Sequence, residues 1–261
     1  MMPVAMARPR QKPGSLLRSS MVKLLREARR AVETFDDDPC GKAHLIRTRV
    51  KRLQSLSRLV PHASLWREDF LRPCGELKDI FAPTRDATIV GALAEKYAPG
   101  RGSQLLKPPK PDLKAAANRV LAALLEIGRF SGWQAADWEG IADRATGTYR
   151  AARNAWKQAR RKNASDTAFH EWRRRLKRLL YQCEYLGGRA RLARFTARVD
   201  RLGEILGEIQ DVCLAESWLQ DQGLHVPADL ARSKEVLRHD AVRRGKSLLV
   251  HKPKDFRRML K

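Results

Sequence analysis

Residues 169–183 read FHEWRRRLKRLLYQC, and their spacing decides the fold class of this chain. Apolar side chains recur there every three or four residues: Phe169, Trp172, Leu176, Leu179, Leu180 and Cys183. An α-helix of 3.6 residues per turn places all of them on one face and most of the arginines and lysines elsewhere on its surface. The stretch therefore predicts a helix with one face toward a core and a strongly cationic exposed surface.

The rest of the chain follows the same period. It is rich in Leu, Ala, Arg, Lys and Glu and has no run of β-branched residues, so we expect an all-α fold. About ten helices are predicted, at residues 15–33, 42–60, 64–81, 86–97, 113–130, 139–163, 167–186, 190–207, 211–222 and 228–249. Turn-forming residues separate them at 36–41, 82–86, 187–188 and 225–227.

The two halves repeat one pattern. Residues 44–53, HLIRTRVKRL, match residues 170–179, HEWRRRLKRL, at an offset of 126. Five later residues align with five others at an offset of 125: Leu77, Asp79, Ile80, Phe81 and Asp86 with Leu202, Glu204, Ile205, Leu206 and Asp211. Two blocks in the same order predict a duplicated five-helix unit, as two antiparallel bundles related by a pseudo-twofold axis.

This repeat predicts the domain organisation. We expect one helical domain at 14–250, with a first repeat at 14–130 and a second at 139–250. The stretch at about 98–112, rich in Pro, Gly and Lys, is the expected linker. A disordered basic tail is predicted at 1–13. A basic and largely disordered tail is predicted at 251–261, where Phe256 is the one candidate anchor.

Charge restricts the partner. The 261 residues include 53 Lys and Arg against 29 Asp and Glu, a formal net charge of +24. Residues 144–201 alone hold 17 basic and four acidic residues. Such a patch repels itself unless an anion neutralises it, so the expected partner is a polyanion. Nucleic acid, an anionic membrane surface and a chain of phosphates all fit that description.

Other sequence features favour a cytoplasmic protein without a cofactor. No apolar run approaches the roughly 18 to 20 residues that cross a bilayer, and the first residues lack the apolar core of a signal peptide. The cysteines, Cys40, Cys74, Cys183 and Cys213, form no CxxC pair, so we expect neither a metal site nor a disulfide framework. The oligomeric state stays open.

A repeated cationic stripe supplies the candidate site. In each half a histidine is followed by an arginine at +3, a lysine at +7 and an arginine at +8. These residues are His44, Arg47, Lys51 and Arg52, and His170, Arg173, Lys177 and Arg178, with Arg174 beside the second set. Positions i, i+3 and i+7 share one helix face, and like charges there destabilise an isolated helix by about 0.2–0.5 kcal/mol per pair. An anion lying against the stripe would remove that repulsion, and each histidine can donate to a phosphate oxygen.

A third set of cations has the same spacing. Arg150, Arg153 and Lys157 lie at i, i+3 and i+7 of the preceding helix, and we add them to the candidate anion-binding residues. The alternative for any single cationic helix is an ordinary solvated face. Repetition of the stripe in both halves, with histidine at the same place, argues against that alternative for the histidine-containing helices.

These residues resemble the CHAD family, the conserved histidine α-helical domain. The resemblance rests on the paired His-x-x-Arg-x-x-x-Lys helices, on Arg85-Asp86 after an apolar helix, and on Tyr181 and Glu184 downstream of His170. It covers about residues 15–250. The chain departs from the family at Gln210, which stands where an arginine is expected before Asp211, and at the +10 positions, which are Gln54 and Leu180.

The resemblance implies a fold and a function. The fold is two similar helical bundles with a basic surface or channel between them, and the ligand is inorganic polyphosphate, with association with polyphosphate granules. By position, His44, Arg47, Lys51, Arg52, His170, Arg173 and Lys177 line the anion site. The glutamate-rich tunnel of the CYTH triphosphatases, which are often fused to this family, is absent from this sequence.

Two other classes of function remain open. Nucleic-acid binding would use the same basic helices, although no zinc-finger, RNP or bZIP pattern occurs. A phosphate-metabolising enzyme, or an accessory subunit of one, is the second alternative. Against it, the chain lacks a P-loop, an HExxH motif and a dinucleotide fingerprint. We expect the acidic run at 36–38 to cap a helix or to lie in a solvated loop, and we expect no catalytic residue.

Overall fold

A computed structural model describes residues 12–61, 64–97, 112–127, 135–187 and 190–260. These residues form ten α-helices and no β-strand, which confirms the all-α fold. The helices are α1 Pro13–Glu33, α2 Pro39–Leu56, α3 Ser64–Ile80, α4 Ala82–Tyr97, α5 Leu113–Ile127, α6 Trp138–Ala159, α7 Asp166–Leu186, α8 Ala190–Asp221, α9 Ala228–Leu249 and α10 Pro253–Leu260. Residues 1–11 of the predicted N-terminal tail and 98–111 of the predicted linker lie outside the described residues.

Short polar residues start the two helices that carry the cationic stripes. Asp38 caps α2 by accepting a hydrogen bond from the Gly41 N–H at 2.9 Å, the role expected of the acidic run. Ser165 caps α7 by accepting from the Ala168 N–H at 3.3 Å. Gly187 ends α7 at φ 42°, a left-handed conformation that glycine adopts without steric cost.

The predicted break at residues 208–210 is wrong. The structure forms one 32-residue helix, α8, where the sequence suggested helices at 190–207 and 211–222. No proline or left-handed residue interrupts this stretch, and its residues support a helix. In the first half, the matching stretch does break, between α3 and α4, and Pro83 lies in the first turn of α4. A proline suits a first turn because its missing N–H would have no intrahelical partner there.

The disorder predicted for the C-terminal tail is also wrong. Residues 253–260 form α10, and Phe256 is completely buried, so the anchoring expected of its ring is confirmed. The ring stacks on Tyr149 with centroids 4.7 Å apart and meets Phe195 at 5.4 Å. An aromatic cluster therefore holds the end of the chain against α6 and α8.

The chain divides into two compact units, an N-terminal unit of residues 10–141 and a C-terminal unit of residues 142–261. In the N-terminal unit, α1 packs on α2 and α5, α2 on α3 and α4, and α3 on α5. Its core is mostly apolar, with Ser55 and Ser57 also buried, and the Phe35 and Phe81 rings meet with centroids 5.2 Å apart. Burial of this apolar face stabilises the helices, which propensity alone would not hold in water.

In the C-terminal unit, α8 packs on α7 and α9 and contacts α10. Gly245 on α9 marks a close approach, because a methyl group there would lie 2.6 Å from Trp156 Cδ1 and 2.8 Å from Trp172 Cη2. The indole of Trp156 also donates to the Val242 carbonyl at 3.4 Å. The two tryptophans fill the space between helices, so only glycine fits at position 245 without a shift of these rings.

Candidate functional site

The first cationic cluster lies on α2 in the N-terminal unit. Arg47 reaches the end of α3, where its Nη1 donates to the Lys78 carbonyl oxygen at 2.5 Å. The last carbonyls of a helix lack intrahelical donors, so the guanidinium stabilises the end of α3. His44 lies one turn before Arg47, and Lys51 lies one turn after it. With Arg85 of α4, these three residues form what we call the His44 cluster.

The cations of this cluster lie close enough to affect the imidazole of His44. Partial desolvation lowers the pKa of His44 below its usual value, and the positive charges of Lys51, Arg85 and Arg47 lower it further. Burial also lowers the pKa of Arg47, although the nearby carboxylate of Asp86 opposes the shift. Asp86 Oδ1 is itself 2.9 Å from Arg85 Nη1. The cluster thus concentrates cations around an imidazole.

The second cluster lies between α7 and α8 in the C-terminal unit. His170 Nδ1 is 2.5 Å from Gln210 Oε1, and since an amide oxygen only accepts, Nδ1 carries the hydrogen. Two turns along α7, the Lys177 ammonium is 3.3 Å from Asp200 Oδ1. These contacts run in opposite directions along the two helices, so α7 and α8 are antiparallel. We call His170, Arg173 and Lys177 with Asp200 and Gln210 the His170 cluster.

Two glycines of α8 make room for the basic side chains. A methyl group at Gly203 would lie 3.0 Å from Lys177 Cε, and one at Gly207 would lie 3.7 Å from Arg173 Nη2. A glycine inside a helix costs about 0.5–1 kcal/mol relative to alanine. That cost has a local purpose at Gly203, because a larger residue there would push the lysine away from α8.

The helix surface that faces the stripe differs between the units. At an offset of 125, four positions at i, i+3, i+7 and i+10 correspond: Gly75, Lys78, Ala82 and Arg85 with Asp200, Gly203, Gly207 and Gln210. The first set carries two cations, and the second carries one carboxylate. At these four matched positions, the histidine-centred stripe is therefore accompanied by two cations in one unit and by one carboxylate in the other.

Comparison with known protein families matches residues 15–220 to the CHAD domain. This match spans most of the sequence. The chain belongs to the CHAD domain family. The matched residues include both histidine-containing helices, α2 and α7, so both clusters lie within the CHAD region of this chain.

A solved structure has the same fold. The crystal structure of the CHAD domain from the plant Ricinus communis matches with a TM-score of 0.58 and 18% sequence identity. The match covers 95% of this chain and 91% of that one. At this identity the likeness shows the fold alone. No curated protein matches the chain.

The remaining cations of the two CHAD stripes lie at the edges of the clusters. Arg174 is exposed and pairs with Glu171 at 3.1 Å, which also accepts from Arg175 at 2.5 Å. Arg52 and Arg178 are half-buried. Desolvation acts to raise the pKa of Glu171, but the hydrogen bond from Arg175 and the charges of Arg175, Arg174 and Arg178 lower it below its usual value. In both units the arginine at +8 is thus less exposed than a freely solvated side chain.

The three candidate cations of α6 differ in their exposure and contacts. Arg150 and Lys157 are exposed, as expected for a cationic face. Arg153 instead donates from Nε to the Leu249 carbonyl at 3.0 Å, and from Nη2 to the Val250 carbonyl at 3.5 Å. Its guanidinium stabilises the C-terminal end of α9, which gives it a structural role that the sequence spacing did not indicate.

One group in the described part of the chain has the spacing of metal ligands: Asp166, Cys213 and Glu216. Two cations already engage its carboxylates, because Lys234 pairs with Glu216 and Arg238 pairs with Asp166. Burial and the hydrogen bond with Asp166 raise the pKa of the Cys213 thiol to about 12, so the sulfur is protonated at neutral pH. The group is better described as an ion-pair network than as a metal centre.

Sequence reasoning missed Asp200 of the His170 cluster, and it missed Gly203, over which the Lys177 side chain lies. The signal was present, because extending the second aligned block upstream from Leu202 pairs Asp200 with Gly75 and exposes a charge difference between the halves. Among the described residues, no helix is long and apolar enough to cross a membrane.

Proposed function

We propose that this CHAD domain binds inorganic polyphosphate in the cytoplasm without hydrolysing it, and that it associates with polyphosphate granules. One observation carries the proposal: in each unit, a histidine, an arginine and a lysine are spaced by whole turns along one helix, and side chains of that set contact the next helix, Arg47 in the first unit and His170 and Lys177 in the second. Family membership supports this ligand, since the CHAD family is associated with polyphosphate.

The chemistry of the clusters suits a chain of phosphates. Arginine can clamp two phosphate oxygens with its planar fork, whereas lysine acts as a mobile point charge. The imidazole adds a donor that gains a proton when negative charge arrives. Each charge-assisted contact releases counterions, so the affinity for polyphosphate should fall steeply with salt, as it does for nucleic-acid-binding proteins.

Nucleic-acid binding is the main alternative, because phosphate contacts alone do not separate the two polyanions. Sequence-independent binding of single strands uses exposed aromatic platforms. In this chain Phe81, Phe169 and Trp172 are buried in the cores. Competition of long-chain polyphosphate against duplex DNA and single-stranded RNA, at about 150 mM salt, tests the choice. Preference for either nucleic acid would overturn the proposal.

Catalysis is the other alternative, either in this chain or as an accessory to an enzyme. Carboxylates near the clusters are engaged by cations, Asp86 by Arg85 and Asp200 by Lys177, an arrangement that favours charge balance over metal binding. The test is incubation with polyphosphate and Mg²⁺ or Mn²⁺ followed by an assay for orthophosphate. Release of orthophosphate above a buffer control would contradict the non-catalytic part of the proposal.

A double substitution tests the binding site. Arg173→Ala with Lys177→Ala should weaken polyphosphate binding at least tenfold, because each charge-assisted contact contributes about 1.5–3 kcal/mol. Arg232→Ala with Arg258→Ala is the matched control: it removes two cations from the same unit, where both side chains are largely exposed. Circular dichroism checks that both variants fold. Equal affinity of the two folded variants would place the site elsewhere.

A further inference from the structure

We propose that Asp200 is a built-in competitor for Lys177 and makes the His170 cluster selective for long phosphate chains. This inference rests on the proposed function and assigns a role to a residue outside the cationic stripes. It concerns which phosphate chains each cluster accepts.

The contact itself is well placed for competition. Lys177 Nζ lies 3.3 Å from Asp200 Oδ1, with 27% of the lysine side chain and 49% of the aspartate side chain exposed. The pair is therefore accessible to solvent, and a ligand can reach it. Because Gly203 has no side chain, the lysine stem lies flat on α8 and its ammonium is directed to the carboxylate. Asp200 thus pairs with Lys177, a cation of the stripe that would otherwise be available to a bound anion.

The N-terminal unit lacks this competitor. The residue that matches Asp200 is Gly75 on α3, and a methyl group built there would meet no atom within 4 Å. The position is open, and it brings no negative charge to the helix that packs on α2. Of the other matched positions, Lys78 and Arg85 are cationic, and the carboxylates that act on Arg47 are those of Asp86 and Asp79. The His44 cluster therefore meets an incoming anion without a carboxylate at the corresponding place.

A fixed carboxylate acts differently on short and long anions. A single phosphate must displace Asp200 from Lys177 and also bear its repulsion, with few other contacts to offset either effect. A long chain reaches Arg173 and the cations around it at the same time, so it spreads the penalty over several contacts. Exposed ion pairs are weak, which keeps the displacement possible. The carboxylate thus disfavours short phosphates more than polymers.

The experiment compares two probes, tripolyphosphate and long-chain polyphosphate, by isothermal titration. Asp200→Asn should raise the affinity for tripolyphosphate about two- to fivefold, as expected from removal of an exposed ion pair, and should raise that for the polymer less. Gly75→Asp should lower tripolyphosphate affinity by a similar factor. Asp229→Asn is the control, since its side chain is 93% exposed and it removes the same charge from the same unit.

A second background separates competition from general repulsion. In a Lys177→Gln chain, competition for the lysine no longer exists, so Asp200→Asn should then change affinity less than it does in the wild-type background. An equal gain in both backgrounds, or the same gain from Asp229→Asn, would overturn the inference. So would an unchanged affinity in Asp200→Asn when Lys177→Gln alone weakens binding. Absence of any polyphosphate binding by the wild-type chain would instead contradict the proposed function.

Discussion

The His44 and His170 clusters share one stripe and differ in the helix surface beside it. In the first unit, Arg47 donates to a backbone carbonyl of α3, and the matched positions of the neighbouring helices carry Lys78 and Arg85. In the second, Lys177 is tied to the carboxylate of Asp200, and His170 is tied to the neutral amide of Gln210. The cations are conserved between the duplicated helices α2 and α7. The charge on the helices packed beside them differs between the two units.

The two units also differ in helix continuity, since α8 is one helix and its counterpart is divided into α3 and α4. A substitution that interrupts α8 should have the largest effect on stability. Position 208 of α8 corresponds to Pro83, which lies in the first turn of α4. Glu208→Pro should destabilise the protein by about 3 kcal/mol or more, because the proline removes a hydrogen bond inside α8 and clashes with the preceding turn. Chemical denaturation followed by circular dichroism measures the loss.

Glu208→Ala is the control for removal of the exposed carboxylate. It should leave the free energy of unfolding within about 0.5 kcal/mol of wild type. If the proline variant unfolds at the same denaturant concentration as the alanine variant, then Pro83 does not explain why only the first half breaks its helix.

The next effect concerns the matched lysines. Lys51→Gln should lower polyphosphate affinity by up to about tenfold, the value expected for one charge-assisted contact, and Lys177→Gln should lower it by less than tenfold because Asp200 already engages that lysine. The slope of log affinity against log salt should fall by about one for Lys51→Gln and by less for Lys177→Gln. Equal losses would show that the two clusters contribute alike.

The pH dependence of binding should come from the first cluster. Burial, together with Lys51, Arg85 and Arg47, lowers the pKa of His44 in the free protein, and a bound polyanion should raise it. Binding then takes up a proton wherever the pH lies between the two values, so affinity rises as pH falls through that window and levels off below the free value. We expect about a threefold gain between pH 7.5 and 5.5.

Isothermal titration in buffers of different ionisation heat counts this proton directly. Long-chain polyphosphate is the appropriate probe, because few of its phosphates are terminal groups that titrate near neutral pH. His44→Gln should remove the proton uptake. If uptake persists unchanged in that variant, His44 is not the group that couples binding to pH.

The smallest effect distinguishes the two glycines of α8. Gly207→Ala makes α8 resemble the first half, where the matching residue is Ala82. It should stabilise the protein by about 0.5–1 kcal/mol, since the new methyl group would lie at an ordinary 3.7 Å from Arg173. Gly203→Ala gains the same helix propensity but displaces Lys177, so it should also change polyphosphate affinity. Denaturation measures the stability of both variants, and titration measures their polyphosphate affinity. If the two variants have the same affinity, Gly203 does not position Lys177.

Sequence predicted the fold class and the cationic stripes because both depend on periodicity. Apolar residues at three and four specify helices that must pack, and the histidine, arginine and lysine of each stripe are separated by whole turns. Boundaries were less predictable where two local signals compete. The helix-forming residues at 208–210 propagate α8, and the contacts of Phe256 order α10 in a segment whose composition favoured disorder.

The sequence alone determines which cations lie on α2 and α7 and which of them share a face, because helix geometry fixes the angle between successive residues. What each cation touches follows only from packing. Arg153 stabilises the end of α9, Arg47 the end of α3, and Lys177 lies against Asp200, contacts between residues 23 to 97 positions apart. Such partners depend on how the helices pack against one another, and this packing depends on the whole core. Even the absence of a side chain at Gly203 matters, because it leaves room for Lys177 on α8.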